Sequence, residues 1–128
     1  FVTPGYCIIK DDHCNLSESF SKVQEVVIIS KCVYGSYSPY IKNVIDRNLS
    51  YVLPFFELRE GNTRHSPRYE NKINFTVHFY GENLSQEEKS IAQDLVEANC
   101  KNFNSSGSTI RFYDEKLPPK GITLWKLW

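Results

Sequence analysis

Asn74-Phe75-Thr76-Val77-His78-Phe79-Tyr80 alternates apolar with polar or amphipathic side chains, and period-two alternation marks a strand with one buried face. Phe75, Val77 and Phe79 then point to the core. Asn74 and His78 stand on the opposite face, toward solvent. The strand signal runs from Asn71 to Tyr80, and every other element is placed outward from it. On its C-terminal side, Ser85-Gln86-Glu87-Glu88 has the capping-box pattern of a helix start, with Ile91, Ala92, Leu95, Val96 and Ala98 as the buried stripe. Ser108 to Tyr113 and Ile122 to Leu127 read as closing strands around Pro118-Pro119. On its N-terminal side, Arg59 to Lys72 reads as a long polar loop, and Tyr51 to Leu58 as a strand whose Pro54 favours an edge or a strand start. Ser38-Pro39 opens a helix with Ile41, Val44, Ile45 and Leu49 at helical spacing. Val23 to Ser30 is apolar on consecutive positions, which predicts a central strand covered on both faces. The first 22 residues read as irregular.

These elements predict an α+β fold: a mostly antiparallel sheet of about five strands with two helices packed on it, stapled by two disulfides. The 128 residues fit a single domain, 1–128. Fifteen Lys and Arg balance fifteen Asp and Glu. That balance argues against a nucleic-acid binder, which needs surplus positive charge, and against a polybasic membrane face. The densest apolar run, Val26-Val27-Ile28-Ile29, is far short of the roughly 20 residues that span a bilayer, so no membrane insertion is expected. A start at Phe1 with no Met in the chain fits removal of a signal peptide.

Five Asn-x-Ser/Thr sequons are present, at Asn15, Asn48, Asn74, Asn83 and Asn104, where composition alone gives about 1.4. The excess predicts a secreted or extracellular N-glycoprotein. Cys7, Cys14, Cys32 and Cys100 are an even set without a C-x-x-C spacing. In a secreted chain this reads as two disulfides with three possible connectivities; Cys14–Cys32 with Cys7–Cys100 is the preferred one.

No catalytic constellation is expected. There is no phosphate-cradling Gly-rich loop, no H-E-x-x-H and no G-x-S-x-G, and His13, His65 and His78 fall in different segments. No cofactor and no metal is implied. Val26 to Val33 followed by Ser38-Pro39-Tyr40-Ile41 resembles the opening unit of thioredoxin-like proteins. That resemblance implies a luminal thiol oxidoreductase using Cys32, although no second cysteine lies in its loop. Phe1 to Cys7, His13-Cys14-Asn15 and Ile29-Ser30-Lys31-Cys32-Val33-Tyr34-Gly35 together are similar to gammaherpesvirus glycoprotein L over about the first 50 residues of this chain, with no counterpart to Cys100 or the C-terminal half. This implies a small envelope subunit bound to a larger glycoprotein. The family's adjacent cysteine pair is absent, since Tyr6 precedes Cys7.

Recognition of a protein partner is therefore the expected function. Arg59, Arg64, His65, Arg68, Tyr69 and Lys72 are the first candidates, because Arg and Tyr are enriched at binding hot spots and long polar loops are often functional. Their charge suggests an acidic partner. Trp125 and Trp128, near the chain end, are the second candidates, either as core closure or as an exposed patch.

Overall fold

The computed structural model describes residues 9, 11, 15–118 and 120. In chain order the elements are α1 (Leu16–Ser21), β1 (Glu25–Lys31), α2 (Pro39–Arg47), a 3-10 turn (Asn48–Tyr51), β2 (Val52–Arg59), β3 (Asn62–Pro67), β4 (Asn74–Tyr80), α3 (Gln86–Asn102) and β5 (Gly107–Tyr113). The architecture is α+β with two sheets. β1, β4 and β5 form a three-stranded sheet in that order, while β2 and β3 form a separate two-stranded one.

The pairing corrects the expected antiparallel sheet. β1 pairs with β4 in parallel, Val26 to Phe75 and Ile28 to Val77, and β4 pairs with β5 in parallel, Val77 to Ile110. Each step along this sheet is strand, helix-bearing crossover, strand, and such crossovers return the chain in the same direction. Only the short connection from β2 to β3 reverses it. There are also three helices rather than two, because Leu16–Ser21 is helical within the stretch read as irregular. β4, not β1, is the central strand. The proposed last strand, Ile122 to Leu127, lies outside the described residues, as do Trp125 and Trp128.

One face of the parallel sheet carries Val26, Ile28 and Ser30, then Phe75, Val77 and Phe79, then Ser108, Ile110 and Phe112. Phe75, Val77 and Phe79 are buried, as their alternation required. Each such side chain contributes roughly 1.5–3 kcal/mol by leaving water. Two ring clusters fill the space above them. Phe103 contacts Phe75, Tyr51 and Phe20, and Phe79 stacks between Tyr37 and Phe112. On the other face His78 is buried as well, against its expected exposure, stacked on Tyr113 with Nδ1 2.9 Å from the phenol oxygen. Burial holds its pKa below the usual imidazole value, and the Arg111 charge adds to that effect.

α3 starts as its sequence dictates. Ser85 Oγ accepts from the Glu88 amide at 3.1 Å, and the Glu88 carboxylate accepts from the Ser85 amide at 3.0 Å. Ala92 and Val96 carry its buried face, while Ile91 is exposed and Leu95 packs partly buried against the core.

The expected disulfide staples are overturned. Cys32 and Cys100 are both free thiols, so neither can anchor a bridge to the N-terminal segment; Cys7 and Cys14 lie outside the described residues. Cys32 is enclosed at 5% exposure, and Cys100 sits with its sulfur 3.9 Å from the Gly107 carbonyl. The aromatic core, not a covalent frame, holds this part of the molecule together.

Candidate functional site

Two places collect chemistry-bearing residues, one at each end of the parallel sheet. The first is at the carboxyl ends of its strands. β1 runs into the segment 32–38, where Cys32 N–H donates to the Tyr80 carbonyl at 2.8 Å. Val33 and Ser36 exchange backbone hydrogen bonds of 2.9 and 3.0 Å across Tyr34-Gly35. Both turn residues have positive φ, 51° and 72°, as a two-residue turn of the I′ kind requires. For a tyrosine that conformation is strained. Gly35 must be glycine, since a Cβ there would stand 2.7 Å from Ile91 on α3. The turn is thus pressed onto α3 and presents Tyr34 outward at 88% exposure. Ser38 follows, its amide donating to the buried Ser30 hydroxyl at 2.8 Å, and Pro39 opens α2 with Tyr40 exposed at 86%. Next to this, the loops after β4 and β5 are tied by the Asn83 amide donating to the Asp114 carboxylate at 2.9 Å. The result is a rim with two outward phenol rings beside a helix N-terminus.

The second place is an open groove of about 430 Å3 at the amino ends of β4 and β5, bounded by Arg59, Glu60, Arg64, Lys72, Glu97 and Lys101. The stretch Arg59 to Lys72 is not a loop. Glu60 and Gly61, both at positive φ, make a two-residue turn, and β3 pairs back on β2 with Glu57 opposite Arg64 and Phe56 opposite His65. That folding brings three candidates, Arg59, Arg64 and Lys72, around one groove and adds Lys101, which the sequence did not single out. Four cations and two carboxylates line it, with Arg59 also paired to Glu57. Arg59 is held by Glu57 and donates to Asn104 Oδ1 at 2.6 Å, while Arg64 reaches the Lys101 carbonyl at 3.4 Å. The Arg59 hydrogen bond keeps the Glu57 carboxyl below its usual pKa.

The other candidates do not join it. His65 faces away, its ring 4.5 Å from Phe56 and Nδ1 2.8 Å from the Leu53 carbonyl. Arg68 donates to the Ser50 carbonyl at 2.8 Å, and Tyr69 packs on Tyr51 at 5.4 Å. Both tie the chain back to the 3-10 turn. The signal that would have revealed the hairpin is Glu60-Gly61 followed by Asn62, a turn-forming pair between two extended runs.

The sequon positions fall into different environments. Asn15 and Asn83 are exposed, Asn74 and Asn104 are half-buried, and Asn48 is 1% exposed. Asn48 Oδ1 accepts from Ser17 at 2.6 Å, and Ser17 also bonds Ser50, so two of the sequons interlock inside the fold. The remaining sequon hydroxyls are engaged too: Thr76 donates to Glu25 at 2.5 Å, Ser85 caps α3, and Ser106 reaches the Ile73 carbonyl at 3.3 Å. Each Asn-x-Ser/Thr hydroxyl therefore has a place in the fold.

Burial raises the pKa of the Cys32 thiol, with the Glu88 charge adding to it, and burial raises that of Cys100 as well. A nucleophilic cysteine needs the reverse shift. Among the described residues no helix is long and apolar enough to cross a membrane. No protein-family model matches this chain, and no curated protein does.

Proposed function

We propose that this chain is a non-catalytic binding protein whose ligand is a planar, ring-bearing molecule of the nucleotide or flavin class, seated at the carboxyl-end rim of the parallel sheet. One observation carries the reading: a strained Tyr34-Gly35 turn, locked onto α3, holds an almost fully exposed phenol at the end of β1. Open α/β sheets take ligands outside the carboxyl ends of their strands, at the point where strand order reverses. Here β1 is an edge strand and the order β1-β4-β5 does not reverse, so only the location at the carboxyl ends of the strands is shared with such sheets. The exposed rings of Tyr34 and Tyr40 are this chain's own. Stacking on Tyr34 and Tyr40 gives affinity for flat rings, and the α2 amino end favours an anionic tail. The test is fluorescence or calorimetric titration with flavin mononucleotide, AMP and NAD as probes. Saturable micromolar binding that Tyr34→Ala weakens about tenfold or more, the value of one stacked base, supports the site. No saturable binding of any probe, or binding indifferent to Tyr34→Ala and Tyr40→Ala, refutes it.

A second reading, recognition of an acidic protein segment, is favoured by the cationic groove of Arg59, Arg64, Lys72 and Lys101. In that reading the chain acts as a secreted or cell-surface N-glycoprotein, with Asn15 and Asn83 as the exposed acceptor sites. Charge reversal at Arg64 and Lys72 that leaves capture of an acidic peptide unchanged counts against it.

A further inference from the structure

Among the sequon asparagines, Asn48 is the one that the fold closes over. It is 1% exposed, and its Nδ2 is fully enclosed and makes no hydrogen bond among the described residues. Nδ2 is the atom on which an N-linked sugar is built. The placement follows from the local sequence. α2 ends at Arg47, and the chain tightens into the 3-10 turn Asn48–Tyr51, which sends Asn48 and Tyr51 inward and Leu49 outward at 66% exposure.

The cover is α1. Ser17 is buried, donates from Oγ to Asn48 Oδ1 at 2.6 Å, and is bonded to Ser50 Oγ as well. Phe20, one turn further on, meets Tyr51 edge to face with ring centres 6.1 Å apart. The Asn71 side-chain amide donates to the Phe20 carbonyl at 3.0 Å, which holds the end of α1 in place. At the flanks, Arg47 pairs with Asp11 at 2.8 Å, and Arg68 donates to the Ser50 carbonyl at 2.8 Å. The acceptor asparagine and the hydroxyl of one sequon are thus both engaged in seating α1 on the turn.

We infer that Asn48 is a fold-gated modification site: an N-linked sugar on Asn48 and the docking of α1 exclude each other. The inference rests on the secreted-glycoprotein reading for its cellular setting. Glycosyl transfer joins Asn48 Nδ2 to the anomeric carbon of an oligosaccharide carried on a lipid diphosphate. The carbon–oxygen bond to the diphosphate breaks, the lipid diphosphate leaves with the electron pair, and the amide gives up one proton to a base of the transferase. The product holds a saccharide where Ser17 and α1 stand, and a close-packed interior has no room for a sugar ring. A chain modified before closure therefore cannot seat α1, and a chain that closes first is protected. Asn15, although it adjoins α1, is exposed, so a sugar there leaves the docking intact.

Transfer in vitro, with a purified oligosaccharyltransferase and its lipid-linked donor, tests this on the whole unglycosylated chain. A peptide of residues 44–54 serves as the unfolded acceptor. The peptide takes a sugar at Asn48 readily. The folded chain takes one at exposed Asn83, and at Asn48 reacts about a hundredfold or more slowly than the peptide, because stable folds are open in roughly 10⁻³ of molecules or fewer. In chain made by a secretory host, glycopeptide mapping finds sugar at Asn48 only among molecules that limited proteolysis digests at once. Transfer to Asn48 of the folded chain at the peptide's rate overturns the inference. So does a folded chain that refuses sugar at Asn83 as firmly as at Asn48, or sugar on Asn48 in the protease-resistant fraction. A secretory host that leaves Asn15 and Asn83 bare refutes the glycoprotein reading alone, and the in vitro rates still decide the gating.

Discussion

Replacing Gly35 with alanine tests the most constrained turn in the molecule. Two costs add there. The residue sits at φ +72°, and holding an L side chain in the left-handed region costs about 1–2 kcal/mol. The new Cβ also meets Ile91 Cβ and Cγ2 at 2.7 Å and the Glu88 carbonyl at 3.1 Å. Overpacking of this sort costs typically about 1–3 kcal/mol; Ile91 is half-exposed and yields, but the backbone carbonyl does not. The sum is about 2–5 kcal/mol. Gly61 supplies the control, since it has φ +77° and nothing within 4 Å of its built Cβ, so Gly61→Ala carries the backbone cost alone, about 1–2 kcal/mol. Urea unfolding of the two variants separates the terms. At about 2 kcal/mol per M, Gly35→Ala lowers the midpoint by about 1–2.5 M and Gly61→Ala by about 0.5–1 M. For a chain of this length each kcal/mol also lowers the melting temperature by about 4 °C. Two variants within about 0.5 kcal/mol of each other would mean that the Tyr34 turn is not pressed onto α3.

Ser85→Ala removes the hydroxyl that caps α3 and costs about 1 kcal/mol by chemical denaturation; a neutral result rejects the capping box as a contributor. His78 is disfavoured as a cation in the folded state, so the unfolded chain binds more protons once pH falls toward 6.5, the ordinary imidazole value. Its contribution is complete above that pH and is lost as the pH drops below it; His78→Gln should flatten this slope in melting curves between about pH 7 and 5, and an unchanged slope assigns it elsewhere. Alkylation with peptide mapping should find Cys32 protected in the folded chain and Cys100 modified faster, and immediate labelling of Cys32 in native buffer contradicts its enclosure.

The local signals were readable and the long-range ones were not. β4 and its buried Phe75, Val77 and Phe79 follow from alternation, and the ends of α2 and α3 follow from Ser38-Pro39 and the Ser85/Glu88 pair, because those signals lie within one turn or one strand. Strand direction does not. Whether Val26 lies parallel or antiparallel to Phe75 depends on how the intervening 48 positions cross over. The alternation of strands with helices already pointed to parallel crossovers. β3 escaped because its outward side chains, Thr63 and His65, are not apolar, and its inward ones, Arg64 and Ser66, are polar. Of the recognition residues, Arg59, Arg64 and Lys72 converge only once Glu60-Gly61 reverses the chain. Tyr34 carried no signal at all, since an exposed tyrosine in a short loop looks ordinary until its backbone conformation is seen.

The engagement of every sequon hydroxyl decides how the proposed glycosylation must be probed genetically. The usual shortcut of removing the Ser or Thr would strip the α3 cap at Ser85, the Glu25 link at Thr76, and the Ser17–Asn48–Ser50 cluster, which has the orphaned Asn48 Nδ2 beside it. Loss of folded protein in such variants would then report misfolding as faithfully as it reports a missing sugar. Asn15→Gln and Asn83→Gln, at exposed positions, separate the two, whereas at Asn48 any substitution enters the interior and speaks only about folding.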